Sequence, residues 1–145
     1  ASVEDTQAKS EDVHPNGKPV AGKCVLLAED NDLNAGSAMA LLEEEGLLLG
    51  RAADSVKCRE MLEKAPAYFY DLILMDIQMP ILGGYDTTRK IRRMADAEKA
   101  AIPIIAMTAN AFAEDKQRAL AAGMNDHVAK PIDMNKLIPT LQKYI

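Results

Sequence analysis

Five polar side chains in this 145-residue sequence stand at the ends of short apolar runs, and their types make a coherent chemistry. Glu29 and Asp30 follow CVLLA (24–28), Asp76 follows LILM (72–75), Thr108 follows IPIIAM (102–107), and Lys130 closes DHVAK (126–130) just before Pro131. Each alone is an ordinary turn or cap residue. Asp76 is the sharpest case, because an ionised carboxylate at the lip of a buried strand needs a partner or a task. Two carboxylates about 4 Å apart repel by roughly 4 kcal/mol at an effective dielectric near 20. Three held close therefore require a cation, and Lys130 supplies only one positive charge. Oxygen donors without His or Cys select Mg2+ (or Mn2+), held by one or two carboxylates with several waters retained. An ion with open positions accepts phosphate oxygens, and carboxylates are nucleophiles that form aspartyl phosphates. Asp76 is then the phosphoryl acceptor, with the Lys130 ammonium and the Thr108 hydroxyl binding the phosphoryl oxygens. Phosphoryl transfer asks for little beyond this positioning and charge stabilisation.

These positions meet only if the fold gathers them. Residues 1–21 are polar, carry Pro15, Gly17 and Pro19, and are too poor in hydrophobes to offset their ordering entropy; they read as a tail or linker before a domain over 22–145. From Lys23 the pattern alternates between strand and helix. Strands are expected at 24–28, at 47–53 (weaker, since its Leu run could also extend a helix), at 71–75, 102–107 and 126–130. Helices are expected at 32–45, at 55–64 with Ser55 as N-cap, at 84–97, at 111–123, and at 133–144 with Asp133 as N-cap and Pro139 inside. Near-continuous apolar runs in the middle strands imply an α/β fold, a doubly wound, five-stranded parallel sheet covered on both faces. Right-handed crossovers put every strand's C-terminal end on one edge, where open sheets bind ligands. Four of the five strands then offer a polar group to one small volume, and the second strand ends away from it.

Composition removes other classes. A net charge of −5 and a pI near 5.0 leave no basic stripe for nucleic acid. No apolar run approaches the roughly 20 residues of a membrane span. Cys24 and Cys58 lack metal-ligand spacing and read as reduced thiols, and His14 and His127 are too few to build a metal site. The methionines read as core filler, the basic residues 89 to 93 as a solvated helix face, and the EEE run at 43–45 as a helix end. The chain opens on Ala, which points to a processed chain or a segment of something longer.

From about Lys23 to Ile145 the sequence closely resembles the receiver domain of two-component response regulators. The resemblance is carried by LLAEDN (26–31), LILMDIQMP (72–80) followed by Gly84, IIAMTANA (104–111) and AAGMNDHVAKPI (121–132). In detail it is most similar to the receiver modules of hybrid sensor histidine kinases. The resemblance implies a flavodoxin-like three-layer sandwich of five βα units, with Asp76 as phosphoacceptor and Mg2+ as cofactor. By the same likeness Asp30 is a direct metal ligand, Glu29 acts through water, and the main-chain carbonyl of Gln78 is a further ligand. Thr108 matches the switch hydroxyl, Lys130 the family's lysine, and the bond to Pro131 is implied to be cis. Gln78 and Asn110 match positions that tune the lifetime of the phosphoryl group. His127 departs from the usual Tyr or Phe of the switch, and an imidazole there can make the coupling pH-sensitive. Gly83 beside Gly84 is a second departure, expected to loosen the loop after Asp76.

The implied partner is a histidine kinase or histidine phosphotransfer domain, docking near the first helix and the Pro131 loop. The implied readout face, which could also carry a homodimer, comprises the fourth helix, fifth strand and fifth helix, with Phe112 and His127. No nucleic-acid or membrane contact is expected, and the location is cytoplasmic, in this segment or as part of a membrane-bound sensor kinase. A receiver catalyses its own phosphorylation and dephosphorylation. The alternative is a stand-alone phosphotransferase or phosphatase using an aspartyl phosphate, but such hydrolases place a second Asp as general acid two residues on, where this chain has Gln78. A flavodoxin-like cofactor binder would need a phosphate-cradling loop after strand one, where EDND stands instead.

Overall fold

The computed structural model describes residues 20–66, 69–79, 83–109, 113–130 and 132–145. Asn110, Phe112, Pro131 with its peptide bond, and all but the end of the expected N-terminal tail lie outside the described residues. The elements run β1 (Cys24–Ala28), α1 (Asp32–Glu44), β2 (Leu48–Ala52), α2 (Ser55–Lys64), β3 (Leu72–Asp76), α3 (Gly84–Arg92), α4 (Ala97–Ala100), β4 (Ile104–Thr108), α5 (Ala113–Ala122), β5 (Asp126–Ala129) and α6 (Met134–Gln142). All strand pairs are parallel, in the order β2-β1-β3-β4-β5.

The apolar runs explain this sheet. Successive strand residues face opposite sides. Val25, Leu27, Leu72, Leu74, Ile105 and Met107 therefore pack under α1 and α6, against Ala35, Leu42, Leu137 and Leu141. Leu26, Ile73, Met75, Ile104 and Ala106 pack under α2, α3 and α5, against Cys58, Leu62, Ile91 and Ala119. Strands β3 and β4 are buried along their whole length, as a sheet covered on both faces requires. Each fully buried Leu or Ile contributes about 1.5–3 kcal/mol. Both cysteines are free, Cys58 within this core and Cys24 half-buried. Met75 and Met107 are buried strand residues, as expected of core filler.

Four expectations need correction. Helix α2 is capped by Asp54, whose carboxylate accepts from the Lys57 amide at 2.8 Å, and not by Ser55. Asp54 holds the extended backbone a cap requires, while Ser55 is already helical and buried. The helix expected over 84–97 stops at Arg92, because Asp96 caps a separate turn through the amides of Glu98 and Lys99. The fourth strand starts two residues late, at Ile104, and takes in Thr108. Arg92 also does not belong to a solvated face. Its guanidinium donates to the carbonyls of Gly123 (2.8 Å), Ala100 (2.7 Å) and Ile102 (2.7 Å) and to the Asn125 side chain (2.9 Å). Two of those carbonyls lie at the C-terminal ends of α4 and α5, where the helix dipole favours a cation. Arg89, Lys90 and Arg93 are exposed as expected.

Two glycines are required by close approach. A Cβ on Gly46, at φ +86°, would stand 2.8 Å from the Ala21 Cβ, so only glycine both ends α1 and lets residue 21 cross it. Gly84 belongs to the site.

Candidate functional site

After β1 the chain leaves along α1 on one face of the sheet, and after β3 it leaves along α3 on the other. The adjacent strands β1 and β3 thus end at the point where strand order reverses, and a crevice opens between their C-terminal ends. Glu29 and Asp30 follow one strand, and Asp76 ends the other.

Asp76 and Glu29 are each only 3% exposed, whereas Asp30 lies on the open rim. One oxygen from each of the three carboxylates lies within 4.8 Å of the others. Lys130 reaches in from the end of β5, its Nζ 3.0 Å from Glu29 Oε1 and 3.0 Å from Asp76 Oδ2. The remaining oxygens are placed by main chain. The Gln78 amide donates to Asp76 Oδ1 at 3.0 Å, and the Asn31 amide donates to Glu29 Oε2 at 3.2 Å.

The electrostatics are unbalanced. Burial raises the pKa of Glu29, and nearby Asp76 pushes the same way, against the lowering by Lys130 and the Asn31 amide. Burial also works against the charge on Lys130, but its hydrogen bonds to Glu29 and Asp76 outweigh that and raise its pKa. Three carboxylates face one ammonium, an all-oxygen donor set with surplus negative charge and an open rim. That set fits a hard divalent cation such as Mg2+.

Two of the other expected residues, Thr108 and Gln78, stand at or just past the ends of strands that border this pocket. Thr108 is buried at the end of β4, and its carbonyl accepts from the Lys130 amide at 2.7 Å. Gln78 is exposed, with its N–H committed to Asp76. His127 lies half-buried on β5, its Nδ1 3.8 Å from Asp126 Oδ1 and without a hydrogen bond among the described residues. A cavity of about 340 Å3 adjoins the pocket along α1, with Glu29 and Lys130 on one side and Asn34, Ser37, Leu41 and Ile132 around it.

Sequence reasoning missed two features. The second strand does not end away from the site, because Arg51 of β2 reaches the loop after β1. Its Nε and Nη2 donate to the Glu29 carbonyl at 3.0 and 2.9 Å, and Nη1 pairs with Asp32 at 2.8 Å. An arginine penultimate in an edge strand carries no local pattern that would reveal this. Gly84 packs α3 onto the strand end: a Cβ there would lie 2.6 Å from Ile77 Cα and 2.7 Å from the Asp76 carbonyl oxygen. Its motif position was visible in the sequence, but its steric role was not.

Comparison with known proteins agrees with this geometry. Residues 25–142 match the family model described as response regulator receiver domain. The hybrid signal transduction histidine kinase I of Dictyostelium discoideum is 38% identical over 132 residues, covering 90% of this chain. The histidine protein kinase 1 of Candida albicans is 41% identical over 126 residues, covering 82% of this chain. The chain spans only 8% and 5% of those two proteins. Among solved structures, the receiver domain of the sensor histidine kinase PA1611 from Pseudomonas aeruginosa PAO1 is 40% identical. It superposes with a TM-score of 0.75, covering 86% of this chain and 98% of that one, and holds a magnesium ion in its active-site cleft. The receiver domain of Ssk1 from Saccharomyces cerevisiae, crystallised with the histidine phosphotransfer protein Ypd1, is 25% identical with a TM-score of 0.75, covering 88% of this chain and 91% of that one. Among the described residues, no helix is long and apolar enough to cross a membrane.

Proposed function

The chain belongs to the response regulator receiver family, and from that premise we propose that Asp76 accepts a phosphoryl group from a phosphohistidine in a Mg2+-dependent phosphorelay step. The carrying observation is the Asp76 carboxylate, buried at the strand-order reversal, 3.0 Å from Lys130 and clustered with Glu29 and Asp30.

Asp30, Glu29 and Asp76 would hold Mg2+, with the Gln78 carbonyl as the further ligand that the family suggests. Bound there, Mg2+ supplies charge neutralisation for the carboxylates and the incoming phosphoryl oxygens. The chain's own groups do the rest. An Asp76 oxygen attacks phosphorus, the N–P bond breaks, and its electron pair stays on the donor imidazole. The Gln78 amide and Lys130 orient the Asp76 carboxylate beforehand, so little reorganisation is left for the reaction. Afterwards one carboxylate charge has become a phosphoryl group with extra charge and acceptor oxygens. Lys130 would follow it, and Thr108, buried at the end of β4, would be the hydroxyl that moves toward it. That movement would be read on the face formed by α5, β5 and α6, where His127 sits.

The donor is a histidine kinase or a histidine phosphotransfer domain. The cavity along α1 opens beside the pocket, and the same helix exposes Leu33. The parent would be a hybrid histidine kinase with this segment in the cytoplasm. A hydrolase working on free phosphoesters is not favoured, because exposed Gln78 stands where its general acid would be. Incubation with a 32P-labelled histidine phosphotransfer protein tests the proposal. Label should move to the wild type and not to Asp76→Asn, whereas equal labelling of both would refute the assignment.

A further inference from the structure

We propose that Arg51 is a positioning residue for the acidic pocket: its guanidinium holds the main chain of Glu29 and Asp30 so that their carboxylates face Asp76. This rests on the phosphoacceptor reading above and adds the edge strand β2 to its machinery.

The geometry is specific. Arg51 aligns with Leu27 of β1, and its side chain runs toward the sheet's C-terminal edge. The last ladder bond between the strands is from the Glu29 amide to the Ala52 carbonyl, at 3.0 Å. Past that point the carbonyls of Glu29 and Asp30 have no strand to accept from. Arg51 provides the donors: Nε and Nη2 to Glu29 O at 3.0 and 2.9 Å, and Nη2 to Asp30 O at 3.2 Å. Its third nitrogen pairs with Asp32, which opens α1. One fork therefore fixes two successive peptide planes and ties them to the helix. Inside the same turn the Asn31 amide points back to the Glu29 carboxylate, and Asn31 Oδ1 caps α1. Carbonyls turned out toward Arg51 leave the carboxylates turned in toward Asp76. A lysine could match one of these acceptors, but not the planar fork.

The sign of the effect separates positioning from charge. A cation beside a cation site repels the metal, so a purely electrostatic Arg51 weakens metal binding, and its removal would tighten it. A positioning Arg51 does the reverse. Groups that orient metal-binding side chains typically change affinity by about 10- to 100-fold when removed. Asp32 is 92% exposed, so its ion pair is weakly held, and the carbonyl contacts carry the effect.

The test is Mn2+ binding, measured as free Mn2+ by electron paramagnetic resonance, on wild type, Arg51→Met and Arg51→Lys. The temperature is kept where circular dichroism shows every variant folded. Arg51→Met should weaken Mn2+ binding about tenfold and Arg51→Lys at least about threefold. Acetyl phosphate labelling of Asp76 should slow by matching factors at limiting Mg2+ and recover at saturating Mg2+. An unchanged or tighter Mn2+ affinity in Arg51→Met overturns the proposal. If that variant does not fold, wild-type affinity in Arg51→Lys overturns it equally. Wild type that binds no Mn2+ overturns the metal-pocket reading and this inference with it, whereas wild-type binding unaffected by either variant overturns this inference alone.

Discussion

Replacing Lys130 by Met in the metal-free protein isolates the tension in the acidic pocket. The lysine's Nζ stands 3.0 Å from Glu29 and 3.0 Å from Asp76, whose side chains are 4% and 5% exposed. Without it, two buried carboxylates remain with oxygens within 4.8 Å. At an effective dielectric near 20 that repulsion is about 3.5 kcal/mol. Breaking a buried pair by removing one partner costs about 3–5 kcal/mol, and Lys130 is itself 25% exposed, so the low end applies, about 3 kcal/mol. The loss should depend on pH. Glu29 already titrates above its ordinary value of 4.5, and losing Lys130 raises it further. A carboxyl raised in the folded state favours folding when protonated. Its contribution is complete below the unfolded value and is lost as pH rises through the folded one. Urea unfolding followed by circular dichroism should show Lys130→Met less stable than wild type by about 3 kcal/mol at about pH 8 in EDTA. The gap should narrow as the pH is lowered to about 5, and should also narrow at saturating Mg2+. A gap of the same size at both pH values, with and without Mg2+, would refute the crowded-carboxylate reasoning.

Three further outcomes follow from packing and burial. Gly84→Ala should destabilise by about 1–3 kcal/mol, because its Cβ would lie 2.6 Å from Ile77 Cα, whereas Gly36→Ala, with nothing within 4 Å, should stabilise α1 by up to about 1 kcal/mol. Thermal melts of the pair check both signs. Arg92→Met strands acceptors at Gly123, Ala100, Ile102 and Asn125 and should cost at least about 2 kcal/mol in urea unfolding, and a loss under about half a kcal/mol would show water replacing the guanidinium. Burial pushes the Cys58 thiol up to about 12, so its neutral form favours the fold below about 9, and that benefit is lost as pH rises toward 12. At neutral pH, Ellman's reagent should leave Cys58 untouched in the native protein and react with it after denaturation; rapid native labelling of Cys58 would contradict its place in the core.

The strands and the residues at their ends were legible in the sequence because both rest on local patterns. CVLLA, LILM and IIAM are too apolar and too short for anything but buried strands, and the right-handed crossover fixes which end Asp76 and Lys130 share. What could not be read depends on contacts between distant residues. The Arg92 cage joins positions 92, 100, 102, 123 and 125, and from sequence alone it looks like one more base on a basic helix. Arg51 is hidden likewise, since its acceptors are main-chain carbonyls that any residue type would present. The Ser55 cap went wrong for a different reason: two good capping residues stand side by side, and the backbone gives the role to Asp54.

Whether Asp76 is the phosphoacceptor is decided by intact-mass spectrometry after incubation with acetyl phosphate, with and without Mg2+, on wild type and Asp76→Asn. The wild type should gain one phosphoryl group only when Mg2+ is present, and the variant should gain none. An equal gain in Asp76→Asn, or no gain in a wild type that also fails to bind beryllofluoride, would contradict that role.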